Sequence, residues 1–438
     1  MTFPSRTLLL PIALFSFALG ITGCGHGPAG SQTVTTPRHF NISEFGAVAD
    51  GKTLNTAAIQ KAIDAAAAEG GVVEIPAGTF LSGAIFLKKG AELFLAENAV
   101  LLGSQNIEDY PKRETRIEGH FEPWRMALVN AQQMDHVRII GKGRLDGNGV
   151  PYWQAFWKRR EENPRCTNLE VERPRLLFID RCTDVRVEGV ALQDSGFWNL
   201  HLYRCRDVVI ENVRITIPSA ARTGIRGPST DGIDVDSSQN VTIRKCYIST
   251  NDDDIALKGS KGPFADRDAD SPPVENILVE DCEIGEGNGL ITCGSEANIV
   301  RNVTVRNCVI SGNATLLTLK LRPDTPQHYE NITMDGVKLA GYGRMLNVAP
   351  WNQFFDLKGQ PPPSRQVNNI TLRNISGSFR ALGTLRGNAS DDIRDFTLEN
   401  INLKLADDKL ILGKVTNLVT RNVVVNGQQF TPPVVAAQ

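Results

Sequence analysis

The sequence predicts an all-β fold, a right-handed parallel β-helix with an N-terminal capping helix. Three observations predict it. A short unit of alternating apolar residues recurs along most of the chain. The spacing between copies never falls below 22 residues. Asn or Asp opens each copy.

At 438 residues the chain is long enough to bury a sizeable core, and its formal net charge of −2 with 22% charged residues gives no reason to expect a nucleic-acid partner. The first 24 residues read as a processing segment rather than as part of the fold. Arg6 precedes an apolar run over residues 7–22, too short for a comfortable membrane span. The run ends in Ile21-Thr22-Gly23-Cys24, which resembles a bacterial lipobox and implies cleavage before Cys24 and lipidation of that cysteine. Residues 25–37 are rich in Gly, Ser, Thr and Pro and read as a flexible tether. Residues 38–438 are expected to form a single β-helix domain.

Near the start of that domain, Asn55 or Thr56 can cap a helix over residues 57–68, with Ile59, Ala62, Ile63 and Ala66 on one apolar face. Gly70-Gly71 stops it, and Val72-Val73-Glu74-Ile75 starts a strand. A helix at this place covers the open end of a solenoid, where strand edges would otherwise lie bare. Strand-like runs follow at 84–87, 93–95 and 100–102.

From about residue 136 the repeat is explicit. Its copies start at Asp184, Asp207, Asn240, Asn276, Asn302, Asn331, Asn369, Asp395 and Asn417, with steps of 23, 33, 36, 26, 29, 38, 26 and 22 residues. A fixed minimum with variable excess describes a constant coil carrying loops of different length, about ten coils in all. Cys246, Cys282 and Cys308 hold one register and Cys182 and Cys205 another. Stacked inside the coil they are small core residues rather than disulfides. The recurring Asn suggest a hydrogen-bonded ladder at the corners. Two stretches break the repeat, residues 146–175 and 352–366, and long excursions on one side of a solenoid can shape a binding cleft.

The chemistry concentrates between Ser229 and Ser260. Asp231 and the pair Asp252-Asp253 are separated by about one coil, so neighbouring parallel strands about 4.8 Å apart bring them together. Aligning the exposed strands on Ile233, Ile255, Leu290 and Leu317 puts Asp231, Asp253, Asn288 and Thr315 in one column, with Lys258, Lys320 and Arg322 further along the same strands. Glycoside hydrolysis needs one carboxylic acid to protonate the leaving oxygen and one carboxylate to activate water or attack. Crowding of carboxylates raises one pKa and keeps that group protonated. Acidic triplets also occur as solvated turns or calcium ligands; the second acidic motif one coil away favours catalysis.

At these residues the chain resembles glycoside hydrolase family 28, the polygalacturonases, in their exo-acting bacterial form. Ser229-Thr230-Asp231 matches the family's N-T-D with Ser for Asn, and Asp252-Asp253 matches its D-D. Gly287-Asn288-Gly289 falls on G-H-G with Asn for His, and Thr318-Leu319-Lys320 on R-I-K with Thr for Arg, while Gly294-Ser295-Glu296 looks like the G-S-E of exo-acting members. The resemblance implies an inverting hydrolase on pectin with Asp231 as general acid and Asp252 and Asp253 activating water. It also implies that Lys320 and Arg322 meet a sugar carboxylate, with Asn288, Lys258, His201 and Tyr329 as further substrate contacts. Trp153 and Trp157 are candidates to line a subsite. No cofactor or metal is expected. The expected partner is a pectic oligosaccharide or polysaccharide met by a monomer, and the expected location is the bacterial cell envelope, periplasmic or attached through a lipid anchor. A rhamnogalacturonan hydrolase is the alternative within the class. Outside it stand a calcium-dependent pectate lyase, with the Asp cluster as ligands, and an inactive polysaccharide-binding β-helix.

Overall fold

The computed structural model describes residues 37–351 and 355–433. Cys24 and the processing segment lie outside the described residues. Nearly every strand joins one parallel sheet that winds on itself as a right-handed β-helix. One strand column runs from Arg38–Asn41 through Val274–Glu280 to Thr416–Val425 and stacks thirteen rungs among the described residues. This exceeds the expected ten because the strands before residue 136 are already coiled.

The ladder residues explain why Asn and Asp recur. Asn240, Asn276, Asn302, Asn331 and Asn369 all adopt left-handed backbone, with φ between 55° and 60°. Among residues with a side chain, Asn and Asp tolerate that conformation best. Each amide also donates to the rung before it, as in Asn276 to Asn240 at 3.0 Å and Asn302 to Asn276 at 3.2 Å. Position and partner therefore demand the same residue.

Inside the coil, side chains alternate. Ile233, Val235, Ile255, Leu257, Ile291 and Leu317 are fully buried, each contributing about 1.5–3 kcal/mol of burial. The cysteines at equal register are free thiols in this core, and the Cys246 amide donates to Cys282 Sγ at 3.4 Å. Helix α1, Thr56–Glu69, buries Ile59, Ala62, Ile63 and Ala66 against the first coils. Asn55 does not cap it through its side chain; that amide instead bonds Val48 and the backbone of Thr53 and Leu81.

Two additions rise from one face. An antiparallel hairpin pairs Lys112–Ile117 with His120–Arg125. Helix α2, Val150–Glu162, occupies the first break in the repeat, with Pro151 in its first turn and Tyr152, Trp153 and Phe156 buried. Among the described residues no helix is long and apolar enough to cross a membrane.

Candidate active site

The hairpin and α2 stand over the column formed by Leu200–Tyr203, Ile233–Asp236, Ile255–Lys258, Gly289–Cys293, Thr315–Leu321 and Arg344–Pro350. Between them lies a cleft of about 520 Å³. Register decides what reaches its floor. Ile233 pairs with Ile255, which sets Asp231 beside Asp253. On the next rung Ala256 pairs with Thr292, so Ile291, not Leu290, continues the column. The one-residue correction exchanges faces. Asn288 therefore accompanies Asp252, not Asp253, and its Nδ2 donates to Asp252 Oδ1 at 2.8 Å.

Backbone bonds fix the acidic turns. Asn199 N donates to Asp231 O at 2.9 Å, and Gly232 N to Asp253 O at 2.9 Å. A Cβ on Gly232 would stand 2.4 Å from Asp254 O, so the rungs close only with glycine there. Beneath the first turn the Arg173 guanidinium donates to Pro228 O and to Ser229 Oγ. Gly287 meets a similar limit, because its Cβ would fall 2.1 Å from Asp254 Oδ2.

The three candidate catalytic carboxyls converge. One oxygen each from Asp231, Asp252 and Asp253 lie within 4.8 Å of one another. Burial, then the negative charges of Asp252 and Asp253, push Asp231 up to about 7 against the opposing pull of Lys258. Burial and the neighbouring Asp253 also raise Asp252. Asp253 spends both oxygens, accepting from Thr292 Oγ1 at 3.0 Å and from Lys320 Nζ at 2.7 Å. Asp252 Oδ1 accepts from Asn288 and from the Asp253 amide. Lys258 Nζ sits 3.2 Å from Asp231 and 3.4 Å from Asp234, and 4.7 Å from the Trp198 ring. Two ammonium groups already neutralise the cluster, an arrangement that competes with a divalent cation for the same oxygens.

Four of the six expected substrate contacts line the cleft: Asn288, Lys320, Arg322 and Lys258. Arg322 is already engaged, in a two-point pair with Asp324 at 2.8 Å for each bond, and lies 4.0 Å from Glu296. His201 and Tyr329 do not reach the cleft, which corrects both expectations. His201 is fully buried. Its Nδ1 accepts from the Arg175 guanidinium at 2.8 Å, its Nε2 faces Asp236 at 3.5 Å, and burial pushes its pKa down to about 4. It packs edge-on at 4.8 Å against the ring of Trp198, which lines the cleft. Tyr329 is fully buried and its hydroxyl bonds the Gln327 amide at 2.6 Å. Both side chains hold the floor. Trp153 is also buried, donating to Ser195 O at 2.9 Å, whereas Trp157 lines the cleft.

Sequence reasoning missed the wall opposite. Glu118, at the hairpin turn, enters the cleft and accepts from Asn168 Nδ2 at 2.9 Å. Lys261 stands 3.9 Å from Glu118 and 4.0 Å from Glu296. Burial and then Glu296 raise the Glu118 carboxyl. For Glu296 burial acts upward, but Lys261, Lys258 and Arg322 overcome it and hold the carboxyl low. The hairpin itself is latched by Arg116, whose guanidinium pairs with Asp236 at 3.0 Å, both side chains 1% exposed. No motif around residue 118 marks it; only the folded hairpin brings it to the site.

A family model of glycosyl hydrolases family 28 matches residues 73–421. The chain belongs to glycosyl hydrolases family 28. Among family 28 relatives, the exo-poly-alpha-D-galacturonosidase of Dickeya chrysanthemi is 26% identical, over 95% of this chain and 79% of its own. An exopolygalacturonase of Zea mays is 27% identical, over 86% of this chain and 84% of its own. The crystal structure of a hyperthermoactive exopolygalacturonase from Thermotoga maritima superposes with a TM-score of 0.75 at 25% identity, covering 90% of this chain and 94% of the other. The polygalacturonase of Erwinia carotovora ssp. carotovora shares the fold, with a TM-score of 0.65 at 22% identity over 90% of this chain and 99% of its own. As a family 28 member this chain is a glycoside hydrolase with a pectic substrate.

Proposed function

We propose that the protein is an inverting exo-acting galacturonidase that removes galacturonate units from one end of unesterified pectic chains. The observation that carries the reading is the meeting of three carboxyls within 4.8 Å, with Lys258 and Lys320 at their flank. Asp231, with a pKa of about 7, holds its proton below neutrality and is the general acid for the glycosidic oxygen. Asp252 keeps one oxygen clear of protein hydrogen bonds and takes a proton from the attacking water, while Asp253, fixed by Thr292 and Lys320, shares that water. Glu118, Asn168 and Glu296 narrow the cleft beside the catalytic rungs, which accords with exo-action, and the names of the Dickeya, Zea and Thermotoga relatives support it. Product chromatography on homogalacturonan tests the reading. Monogalacturonate as the sole early product is expected; a ladder of oligomers overturns exo-action.

Rhamnogalacturonan remains the second reading, because Asn288 and Thr318 replace a titratable and a cationic residue of the family pattern. Release of products from rhamnogalacturonan oligosaccharides and none from homogalacturonan favours it. The lipobox at Cys24 supports attachment of a monomeric enzyme to the cell envelope through a lipid anchor. Metabolic labelling with a radioactive fatty acid, lost on Cys24→Ser, tests that assignment.

A further inference from the structure

The cleft continues past Lys320. A second hollow of about 270 Å³ shares Asp253, Asn288, Lys320 and Trp351 with it and extends over the following rungs, where Thr318, Arg344 and Arg380 line it. Thr318 occupies the family's Arg position. It is 3% exposed, yet its Oγ1 has no hydrogen-bond partner, and neither has Arg380 Nε. A buried polar group left unpaired costs about 1–3 kcal/mol, and both of these atoms belong to residues that line the hollow.

The charge at this hollow is also uncompensated. Among the described residues neither Arg344 nor Arg380 forms an ion pair; the Arg380 guanidinium lies only over the Tyr342 ring, at 5.6 Å. Arg322, the other candidate to replace the missing family Arg, is committed to Asp324. Rung geometry brings Arg344 and Arg380 together, because Arg344 pairs with Ala381 and Arg380 N donates to Gly343 O at 3.2 Å. The Arg344 strand is the third after the one that Asp253 precedes, about 14 Å at the usual strand spacing. One pyranose does not span that distance.

We propose that Thr318, Arg344 and Arg380 form a carboxylate subsite for a second uronosyl residue, one unit beyond the residue whose carboxylate meets Lys320. The guanidinium group suits this task because it grips a carboxylate at two points, and a methyl ester there forfeits the charge. The inference rests on reading the cleft as a galacturonide site. A sugar added beyond the one at Lys320 enters this hollow, because the two share Lys320 and Trp351.

The test compares kcat/KM on trigalacturonate with that on digalacturonate. Arg380→Ala and Arg344→Ala are each expected to lower the trimer-to-dimer ratio about tenfold, chiefly through KM. Arg380→Lys is expected to restore part of it, and Thr318→Val to lower it by a smaller factor. Methyl esterification confined to the trimer's residue assigned to this hollow is expected to discriminate strongly in the wild type and weakly in Arg380→Ala. An unchanged ratio in both Arg→Ala variants overturns the subsite. If the wild type hydrolyses neither oligomer, the catalytic reading fails instead. Calorimetric titration of trigalacturonate into Asp252→Asn, with and without Arg380→Ala, then still decides the subsite: equal affinities overturn it.

Discussion

Lys258 Nζ lies 3.2 Å from Asp231 Oδ2, and the two side chains are 5% and 4% exposed. The ammonium lowers the pKa of a carboxyl that burial and two neighbouring aspartates raise, and the balance stands at about 7. A general acid must be protonated to act, so its fraction falls as pH rises through about 7. The pH profile of kcat/KM is expected to lose activity on that limb. In Lys258→Met the downward pull is removed, so the surviving activity is expected to extend to higher pH. A basic limb that stays in place in the variant separates Asp231 from the proton transfer.

Asp252→Asn and Asp253→Asn are each expected to cost at least about 10³-fold in kcat, roughly 4 kcal/mol of transition-state stabilisation. Asn keeps the shape and some hydrogen bonds but cannot take a proton from water. Asp252→Asn is expected to melt close to wild type, whereas Asp253→Asn also leaves the Lys320 ammonium without its partner, so its melt is expected to shift downward while the protein still folds. Near-normal turnover in both variants removes this pair from the mechanism.

As a contact to a sugar carboxylate, Lys320 would on replacement by Ala mainly weaken substrate engagement. Its 2.7 Å bond to Asp253 changes that expectation. Losing the ammonium frees one oxygen of a buried carboxylate and leaves its charge unpaired, so kcat is expected to fall along with a rise in KM. Steady-state kinetics on oligogalacturonates separates the two. A pure KM effect would show that the bond to Asp253 carries no catalytic weight.

What sequence can express here is whatever repeats. The Asn at left-handed corners recur because backbone and ladder both require them, and the step from Ile233 to Ile255 is a bare coil with no insertion to obscure it. The next step carries a long loop, and there the alignment on Leu290 differs from the true register by one residue, enough to turn Asn288 from a companion of Asp253 into one of Asp252. Burial of His201 and Tyr329 was equally hidden. The resemblance implies substrate contact for both, but the hairpin latched by Arg116 on Asp236 covers the first, and the second points into the core, where its hydroxyl bonds Gln327. Helix α2 did leave a signal, in Pro151 and the spacing of Tyr152, Trp153 and Phe156. Glu118 left none, since its partners Asn168 and Glu296 are remote in sequence.

Stereochemistry gives the sharpest test of how the carboxyls divide their work. Inverting enzymes commonly hold acid and base about 6.5–9.5 Å apart and retaining enzymes about 5–5.5 Å. Here the nearest oxygens lie within 4.8 Å, which taken alone favours retention. The hydrogen bonds argue the other way. Asp253 is held by Thr292 and by the Lys320 ammonium, and that ion pair makes it a poorer nucleophile. The clear oxygen of Asp252 and the remaining lone pairs of Asp253 can hold one water between them, and in the proposed mechanism that water is the nucleophile. Proton NMR of the first minutes of hydrolysis is therefore expected to show the β anomer released from an α-linked galacturonide, before mutarotation mixes the two. Initial release of the α anomer, with a covalent sugar trapped on Asp252, would make that residue the nucleophile and overturn the water-activating role.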